Sequence, residues 1–423
     1  MAASTKSSTF TRYQVFLIVV LAFMQFTVIL DFMVMAPLGA ILMPALSITP
    51  QQFSHVVMGY AIAAGISGLL AAGFADRYDR KKLLLFFYVG FIAGTLFCGL
   101  APTYETLLIA RILTGIFGGV VGSVTMAIVT DVFAPQVRGR VMGFVQMAFA
   151  MSQAFGIPLG IVLANHFDWH APFLLIVGFG AVAGVVIFSY MRPVAEHLEL
   201  QRDITAFRHL INTFFDPRHT MAFLTMMILA TGGFMMMPFS SAFLVNNVGV
   251  TQEQLPWVFI VVGACTMIIF PVVGKLSDRI GRLPTFIGGT AIAMTTTIIY
   301  SRLDLSPLWL VMVINAISFV GIGSRIVSSQ ALITNIPLAR DRGAFSAITA
   351  SIQQLSGGLA AGLAGFIVIQ TTETSPLQHY DMLGIVCSCT MLACVVLMFF
   401  VDRQVKRQMA MAPPVMGATS KAA

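Results

Sequence analysis

Apolar residues run along this chain in long unbroken blocks, separated by short polar segments that hold nearly all of its charge. A helix needs about 20 apolar residues to cross a hydrocarbon core of about 30 Å, and twelve blocks reach that length. In the first half they cover about Val15–Pro44, Phe53–Phe74, Leu83–Ala101, Thr106–Thr130, Val141–Asn165 and Ala171–Tyr190. In the second half they cover about Met221–Asn246, Leu255–Leu276, Leu283–Tyr300, Pro307–Ile336, Ala344–Ile369 and Met382–Val401. The blocks are continuous, whereas barrel strands alternate, so the pattern predicts an all-α membrane protein and excludes an outer-membrane barrel. These segments are called spans 1 to 12 below.

Composition agrees with the pattern. Of 423 residues, 58% are hydrophobic and 10% are charged, against about 25% charged in soluble domains. With the N-terminus inside, 21 of the 24 Lys and Arg fall in cytoplasmic segments; Arg302 lies in an outer loop, and Arg111 and Arg325 lie within spans. This is the positive-inside asymmetry. The net charge of +7 is thereby a topology signal and requires no nucleic-acid partner. The expected location is the inner (plasma) membrane, multi-pass, with both termini cytoplasmic. Lys6 and Arg12 precede an apolar run far longer than the about 7–15 residues of a signal-peptide core, so no cleaved leader is expected. Cys98, Cys265, Cys387, Cys389 and Cys394 all fall inside spans without metal-site spacing, so they read as small hydrophobes and no metal is expected.

An internal repeat divides the chain. Ala72-Gly73-Phe74-Ala75-Asp76-Arg77-Tyr78-Asp79-Arg80-Lys81-Lys82 follows span 2, and Gly274-Lys275-Leu276-Ser277-Asp278-Arg279-Ile280-Gly281-Arg282 follows span 8, with the Asp-Arg pairs 202 positions apart. Arg138-Gly139 and Arg342-Gly343 repeat at an offset of 204. Two landmarks at nearly one offset predict duplicated six-helix bundles, a transporter architecture with the solute path between the halves. The expected division is 1–191, a cytoplasmic linker at 192–218, a second bundle at 219–402, and a disordered cytoplasmic tail at 403–423. Ile204, Phe207, Ile211 and Phe214 recur at helical spacing in the linker, which predicts a helix lying on the membrane surface.

These loops resemble the signature of the major facilitator superfamily, and the likeness covers the whole chain. The second copy matches closely through Gly274, Asp278, Arg279, Gly281 and Arg282. The first keeps Gly73, Asp76, Arg77, Arg80 and Lys81 but has Ala72 and Asp79 where the family has Gly. The resemblance implies a cytoplasmic gate, with the Asp76 carboxylate near the N-terminal end of span 11, at Gly343 to Ala347. A carboxylate there gains about 0.3–1 kcal/mol from the helix dipole. Arg111 followed by Gly115 in span 4 resembles the Arg-x-x-x-Gly pattern of proton-coupled members. Gly156, Pro158 and Gly160 in span 5 resemble the bent helix of antiporters, with departures at Ser152, Ile157 and Ile161. Pro158 removes one backbone hydrogen bond and is expected to bend the span. Taken together, the chain is similar to the twelve-span drug:proton antiporter branch.

The intramembrane charges are the candidate chemistry. Of 17 Asp and Glu, only Asp31 lies deep in a span. An ionisable group at that depth costs at least about 2.5–3.5 kcal/mol and is a functional candidate by default. Helix rise places Arg111 within reach of it, and the two are expected to form a proton-coupling pair. Arg325, in the inner half of span 10, has no acid to pair with in the second half. Ser324, Ser328, Ser329 and Gln330 surround it, so it is expected to face water or solute. Two intramembrane arginines against one aspartate are also compatible with an anionic solute. Gln25, Gln146, Gln153, Ser240, Asn246, Asn315, Gln353 and Gln354 complete the candidate solute cavity, because polar groups avoid lipid.

The reading is a proton-driven exporter of small amphipathic or cationic compounds, needing no cofactor beyond the proton gradient and expected to be monomeric. Efflux of a sugar or organic anion is the alternative. An enzyme is disfavoured, because the chain has neither His-Glu-x-x-His nor a phosphate-binding Gly-x-x-x-x-Gly-Lys-Ser/Thr loop. A non-transporting receptor is the remaining possibility from another class.

Overall fold

The computed structural model describes residues 10–195, 198, 206–338, 341–372 and 375–411. Within them the predicted spans appear in order. Span 1 is Arg12–Val34 continued by Gly39–Leu46, and spans 2, 3 and 4 are Pro50–Phe74, Arg80–Cys98 and Tyr104–Val132. Span 5 is Pro135–Met151, a wide π-turn at Ser152–Gly156, and Ile157–His166; span 6 is Ala171–Tyr190. Span 7 is Pro217–Phe234 continued by Ser240–Asn246. Spans 8 to 12 are Leu255–Ile280, Arg282–Tyr300, Leu308–Ile333, Arg342–Ile367 and Tyr380–Met411. Among the described residues, eleven helices are long and apolar enough to cross a membrane. The helix at span 11 has 26 residues but carries Gln353, Gln354 and serines, which lower its hydropathy. It packs along span 2 through Gly358, Gly362 and Gly365, while Leu359, Leu363 and Phe366 on its other side are exposed.

Local chemistry sets the helix starts. Thr11 and Thr49 open spans 1 and 2 with capping boxes to Gln14 and Gln52, and Pro50 occupies the first turn of span 2. Asp79 caps span 3 through Lys81 N and Lys82 N. Asp216 caps span 7 through Arg218 N, just ahead of Pro217. Gly281, at φ +100°, makes the tight turn between spans 8 and 9 that a side chain would strain.

Apolar driving force between helices is small in lipid, so close packing holds the bundle together. Gly119 of span 4 lies so near span 2 that a Cβ there would stand 2.3 Å from Ala64 O. Gly365 of span 11 meets Ser54 of span 2 equally closely. Spans 2 and 11 therefore join the two halves side by side. Large apolar residues such as Phe86, Val182, Phe188, Trp257 and Trp309 remain exposed around the outside, as a lipid-facing surface requires.

Four expectations change. Spans 1 and 7 are interrupted, at 35–38 and 235–239, because Pro238 withholds a backbone donor and Met35-Ala36-Pro37-Leu38 forms a turn. The bend in span 5 lies upstream of Pro158, at Ser152–Gly156: with no N–H on Pro158, the preceding turn widens. The linker helix is Ala206–Phe214; Ile204 and the side chain of Phe207 lie outside the described residues, while Ile211 and Phe214 are exposed and Leu210 is buried. Span 12 does not stop before Arg403 but runs to Met411. Val405 is buried, Gln404 Nε2 donates to Arg218 O at 2.7 Å, and Lys406 pairs with Asp402 at 2.7 Å.

The two ends of the bundle differ. At the end away from the basic loops, contacts cross between the halves. Ser241 Oγ donates to Ala36 O at 2.9 Å and accepts from Ala40 N at 3.3 Å. Asn165 Nδ2 donates to Gln252 O at 2.8 Å, and Phe53 packs edge-on to Phe239. Between spans 5 and 8, Gly263 presses on Ala154 at mid-span, but near the basic loops a Cβ on Gly139, Gly143 or Gly274 would meet nothing within 4 Å. That seam is closed at the far end and open at the basic end.

Candidate functional site

Span 1 carries Asp31 into the core of the first half, and span 4 brings Arg111 to it. Arg111 Nη1 donates to Asp31 Oδ2 at 2.7 Å and reaches Asp31 O at 3.4 Å. Thr95 of span 3 donates to Asp31 Oδ1 at 3.1 Å. The side chains are 0% and 1% exposed for Asp31 and Arg111. Beneath the guanidinium lies Tyr60 of span 2, its ring centre 4.3 Å from Arg111 Cζ, and Phe32 packs on that ring at 5.5 Å. Arg111 Nε has no hydrogen-bond partner. Four helices thus converge on one ion pair, in surroundings where Coulombic terms are much larger than in water. A proton or a cation reaching Asp31 would leave a buried guanidinium without its counter-charge, a change large enough to rearrange helices.

The expected pair is therefore brought together, and two of its supports were not anticipated. Thr95 and Tyr60 are polar groups inside apolar runs, which was the available signal, but nothing in the sequence aimed them at Asp31.

The expected cavity residues divide. Gln25 is half-buried and Gln153 is buried, and the Oε1 atom of each has no partner. Gln353 and Gln354 are half-buried on span 11. Gln146 is exposed on the part of span 5 where the seam with span 8 is open. Ser240 Oγ donates to Met237 O at 2.9 Å and Asn315 Nδ2 to Val311 O at 2.9 Å, so both satisfy their own helices. Asn246 is half-buried; its neighbour Asn247 braces the far end by bonding Leu377 through both N and O.

Arg325 is not exposed at the surface. It is 3% exposed, its guanidinium lies 5.7 Å from the Phe286 ring of span 9, and its other neighbours are Cys387 and Cys394 of span 12. The serines around it bond back along their own helix, Ser324 to Val320 O and Ser328 to Ser324 O. It therefore lies within the second half, and its Nε and Nη2 have no hydrogen-bond partner there.

The loop signature binds each half to itself. Arg80 Nε pairs with Asp131 Oδ2 of span 4 at 2.9 Å and Nη1 donates to Ala75 O at 2.9 Å. Lys81 Nζ donates to Phe188 O at 2.9 Å and Met191 O at 2.5 Å at the end of span 6. Gly73 is half-buried and Arg77 exposed, while the side chain of Asp76 lies outside the described residues. In the second copy Arg282 Nη1 donates to Ala331 O at 2.7 Å, and Asp278 and Arg279 are exposed. In the bent span, Gly156 lies against Leu30 and Gly160 against Val34, where a Cβ would stand 2.6 and 2.7 Å from those side chains.

A family model described as Major Facilitator Superfamily matches residues 21–240 and 222–410. An uncharacterized MFS-type transporter of Bacillus subtilis, YceJ, is 24% identical over 63% of this chain and 67% of its own length. Multidrug resistance protein 3 of Bacillus subtilis is 30% identical over 36% of this chain and 30% of its own length. A probable 4-methylmuconolactone transporter of Cupriavidus pinatubonensis is 26% identical over 58% of each chain. In architecture the chain is similar to a bacterial homolog of the human lysosomal transporter Spinster, solved in an inward-facing, unoccupied conformation. The TM-score is 0.75 at 16% identity, over 94% of this chain and 99% of that one.

Proposed function

The chain belongs to the major facilitator superfamily, and we propose that this secondary transporter is a proton-coupled exporter, an antiporter of small amphipathic or cationic compounds working by alternating access. The buried Asp31–Arg111 pair carries the reading. Asp31 is the proton carrier. In its ionised form it holds Arg111, and with it spans 1 and 4, in one arrangement. Protonation removes the counter-charge and frees the guanidinium toward the Tyr60 face. The guanidinium remains charged throughout, since arginine does not lose its proton in proteins. A cationic solute substitutes for the proton by the same electrostatics, and this competition is the basis of exchange.

The basic-loop bias supports an inner-membrane orientation with both termini cytoplasmic. In that orientation the open seam between spans 5 and 8 faces the cytoplasm, the side from which an exporter loads. The loop carrying Asp76 stays our candidate for the gate of the opposite state, with Arg80 and Lys81 keeping its base rigid. The two-bundle division near 192–218 follows from the same repeat.

The test uses energised inside-out vesicles with a pH-sensitive dye inside, challenged with lipophilic cations, sugars and organic acids. Proton release on adding a cation, absent in Asp31→Asn, is the expected result. Wild-type proton release in that variant would sink the carrier role. A response confined to sugars or organic acids would move the reading to metabolite efflux, which the likeness to a probable lactone transporter keeps in view.

A further inference from the structure

The linker helix bridges the two halves on the basic face. Leu210 joins a buried apolar cluster that includes Phe345 and Ile348 of span 11, and Leu69 and Ala72 of span 2 pack against that cluster. The end of the helix is tied to span 7: His219 Nδ1 donates to Thr213 O at 2.9 Å, and Phe214 stacks on Phe223 at 6.0 Å. Spans 2 and 11 are thereby held together at this end as well as where Gly365 meets Ser54. The linker helix acts as a strap across that seam, while the seam between spans 5 and 8 is open at the same end.

One contact in the strap can titrate. His209 Nε2 of the linker helix stands 3.6 Å from Oδ1 of Asp341, the residue just ahead of span 11, with side chains 43% and 8% exposed. A cavity of about 230 Å³ lined by His209, Asn212, Thr213, Asp216 and Asp341 lies beside the pair, so the solution on the basic side reaches the imidazole. Other charges surround it. From the start of span 7, Asp216 and Arg218 hold each other at 2.7 Å, and Arg218 also faces Asp341. His219 is buried and donates to Thr213 O in either protonation state. Arg208 and Arg342 flank the pair in sequence and are exposed, as is Arg77 at the end of span 2; the Asp76 side chain and Arg340 lie outside the described residues.

We propose that the His209–Asp341 contact is a pH-sensitive latch on the linker helix: a charged imidazole holds the strap against span 11, and a neutral one releases it. Histidines gain charge between about pH 8 and 5, where a carboxylate keeps its own. A histidine facing an anion only in the docked state stabilises docking at acid pH, and that contribution is lost as pH rises through the histidine range. Motion of one half against the other requires the strap to give, so acid on the basic side slows the cycle. This consequence rests on the exporter reading, in which an antiporter delivering protons to that side restrains itself as they accumulate. The latch itself does not require transport.

The test is hydrogen exchange of the linker-helix amides, read by mass spectrometry on the purified full chain in lipid nanodiscs at about pH 5.5 and pH 8 and corrected for the intrinsic pH dependence of exchange. Protection over Ala206–Phe214 is expected to be about two- to fivefold higher at the acid pH, the effect of a partly exposed ion pair. His209→Gln and Asp341→Asn should each remove the difference, whereas His209→Lys, which keeps a cation throughout, should hold the acid-side protection at the higher pH. Asp216→Asn should leave the difference intact, because that carboxylate is already engaged by Arg218. Equal protection at the two pH values in wild type, or a difference that persists in either His209→Gln or Asp341→Asn, would overturn the latch. The assay uses neither a proton gradient nor a solute, so its failure is distinct from normal proton release in Asp31→Asn, which bears on coupling alone.

Discussion

Neutralising either member of the Asp31–Arg111 pair should destabilise the protein far more than neutralising both. At 0% and 1% exposure neither group can turn to water, and a buried pair that loses one partner typically costs about 3–5 kcal/mol. Asp31→Asn leaves Arg111 charged, with Tyr60 at 4.3 Å as its main remaining support; a cation–π contact returns about 0.5–2 kcal/mol. Because that contact exists in the wild type too, it does not offset the loss, and the cost expected is about 3–5 kcal/mol, a folded protein with a lowered melting temperature. Arg111→Gln leaves Asp31 with Thr95 alone among its side-chain partners at 3.1 Å, with a similar cost. The double variant carries no buried charge at this site and should lie within about 1–2 kcal/mol of wild type. Reversible unfolding in sodium dodecyl sulfate, followed by circular dichroism, reads all four corners of the cycle. A coupling free energy above about 2 kcal/mol is expected. Single variants within about 0.5 kcal/mol of wild type, or a double variant equal to their sum, would refute the electrostatic reasoning. Coupled proton release in the stable double variant would refute the carrier role independently.

Three further outcomes follow from particular contacts. Ser241→Ala removes both bonds that join spans 1 and 7 at the far end, together about 1–3 kcal/mol; a cysteine at Leu38, on a background lacking the native cysteines, should then react about tenfold faster with a membrane-impermeant maleimide, and an unchanged rate would exclude the lock. Gly263→Ala would set a Cβ 2.3 Å from Ala154 Cα and should cost about 1–3 kcal/mol by overpacking in the same unfolding assay; a neutral result would contradict the mid-span closure. Asp216 has its carboxyl lowered to about 2 by the Arg218 side-chain bond, so its stabilising contribution is present above the ordinary carboxylate range and lost as pH falls toward 2. Asp216→Ala should lose about 0.5–2 kcal/mol of capping, and Asp216→Asn should keep the cap but flatten the melting temperature between pH 5 and 2; an unaltered pH profile would refute this.

The sequence made the spans legible because crossing lipid is a one-dimensional requirement: length and apolarity suffice. It made the Asp31–Arg111 pair legible because charges there are few and helix rise fixes their depth. Rotation about the helix axis was not legible. Arg325 has the depth of a solute contact, yet packing against Phe286 and span 12 turns it inward. The same limit hid Thr95 and Tyr60, whose partners are set by neighbouring helices. Pro158 announced a bend but not that the preceding turn would absorb it, and the break at Pro238 was hidden within a continuous apolar block. The helix beyond Arg403 was missed because its polar face docks on Arg218 O, a contact between distant parts of the chain.

The far-end lock, made of a serine hydroxyl, an asparagine amide, backbone carbonyls and two phenyl rings, contains no titratable group. The basic end carries the ion pairs Arg80 with Asp131 and Arg218 with Asp216, and His209 lies 3.6 Å from Asp341 between the linker helix and span 11. The two faces therefore answer to different variables. Ionic strength and proton concentration at the basic face act on the contacts there, while the bonds of the far-end lock carry no charge for either to act on; the Asp168–His170 contact at 3.1 Å on that face lies outside the lock. Salt on the basic side is therefore expected to loosen the contacts of that face while leaving the bonds of the far-end lock unchanged.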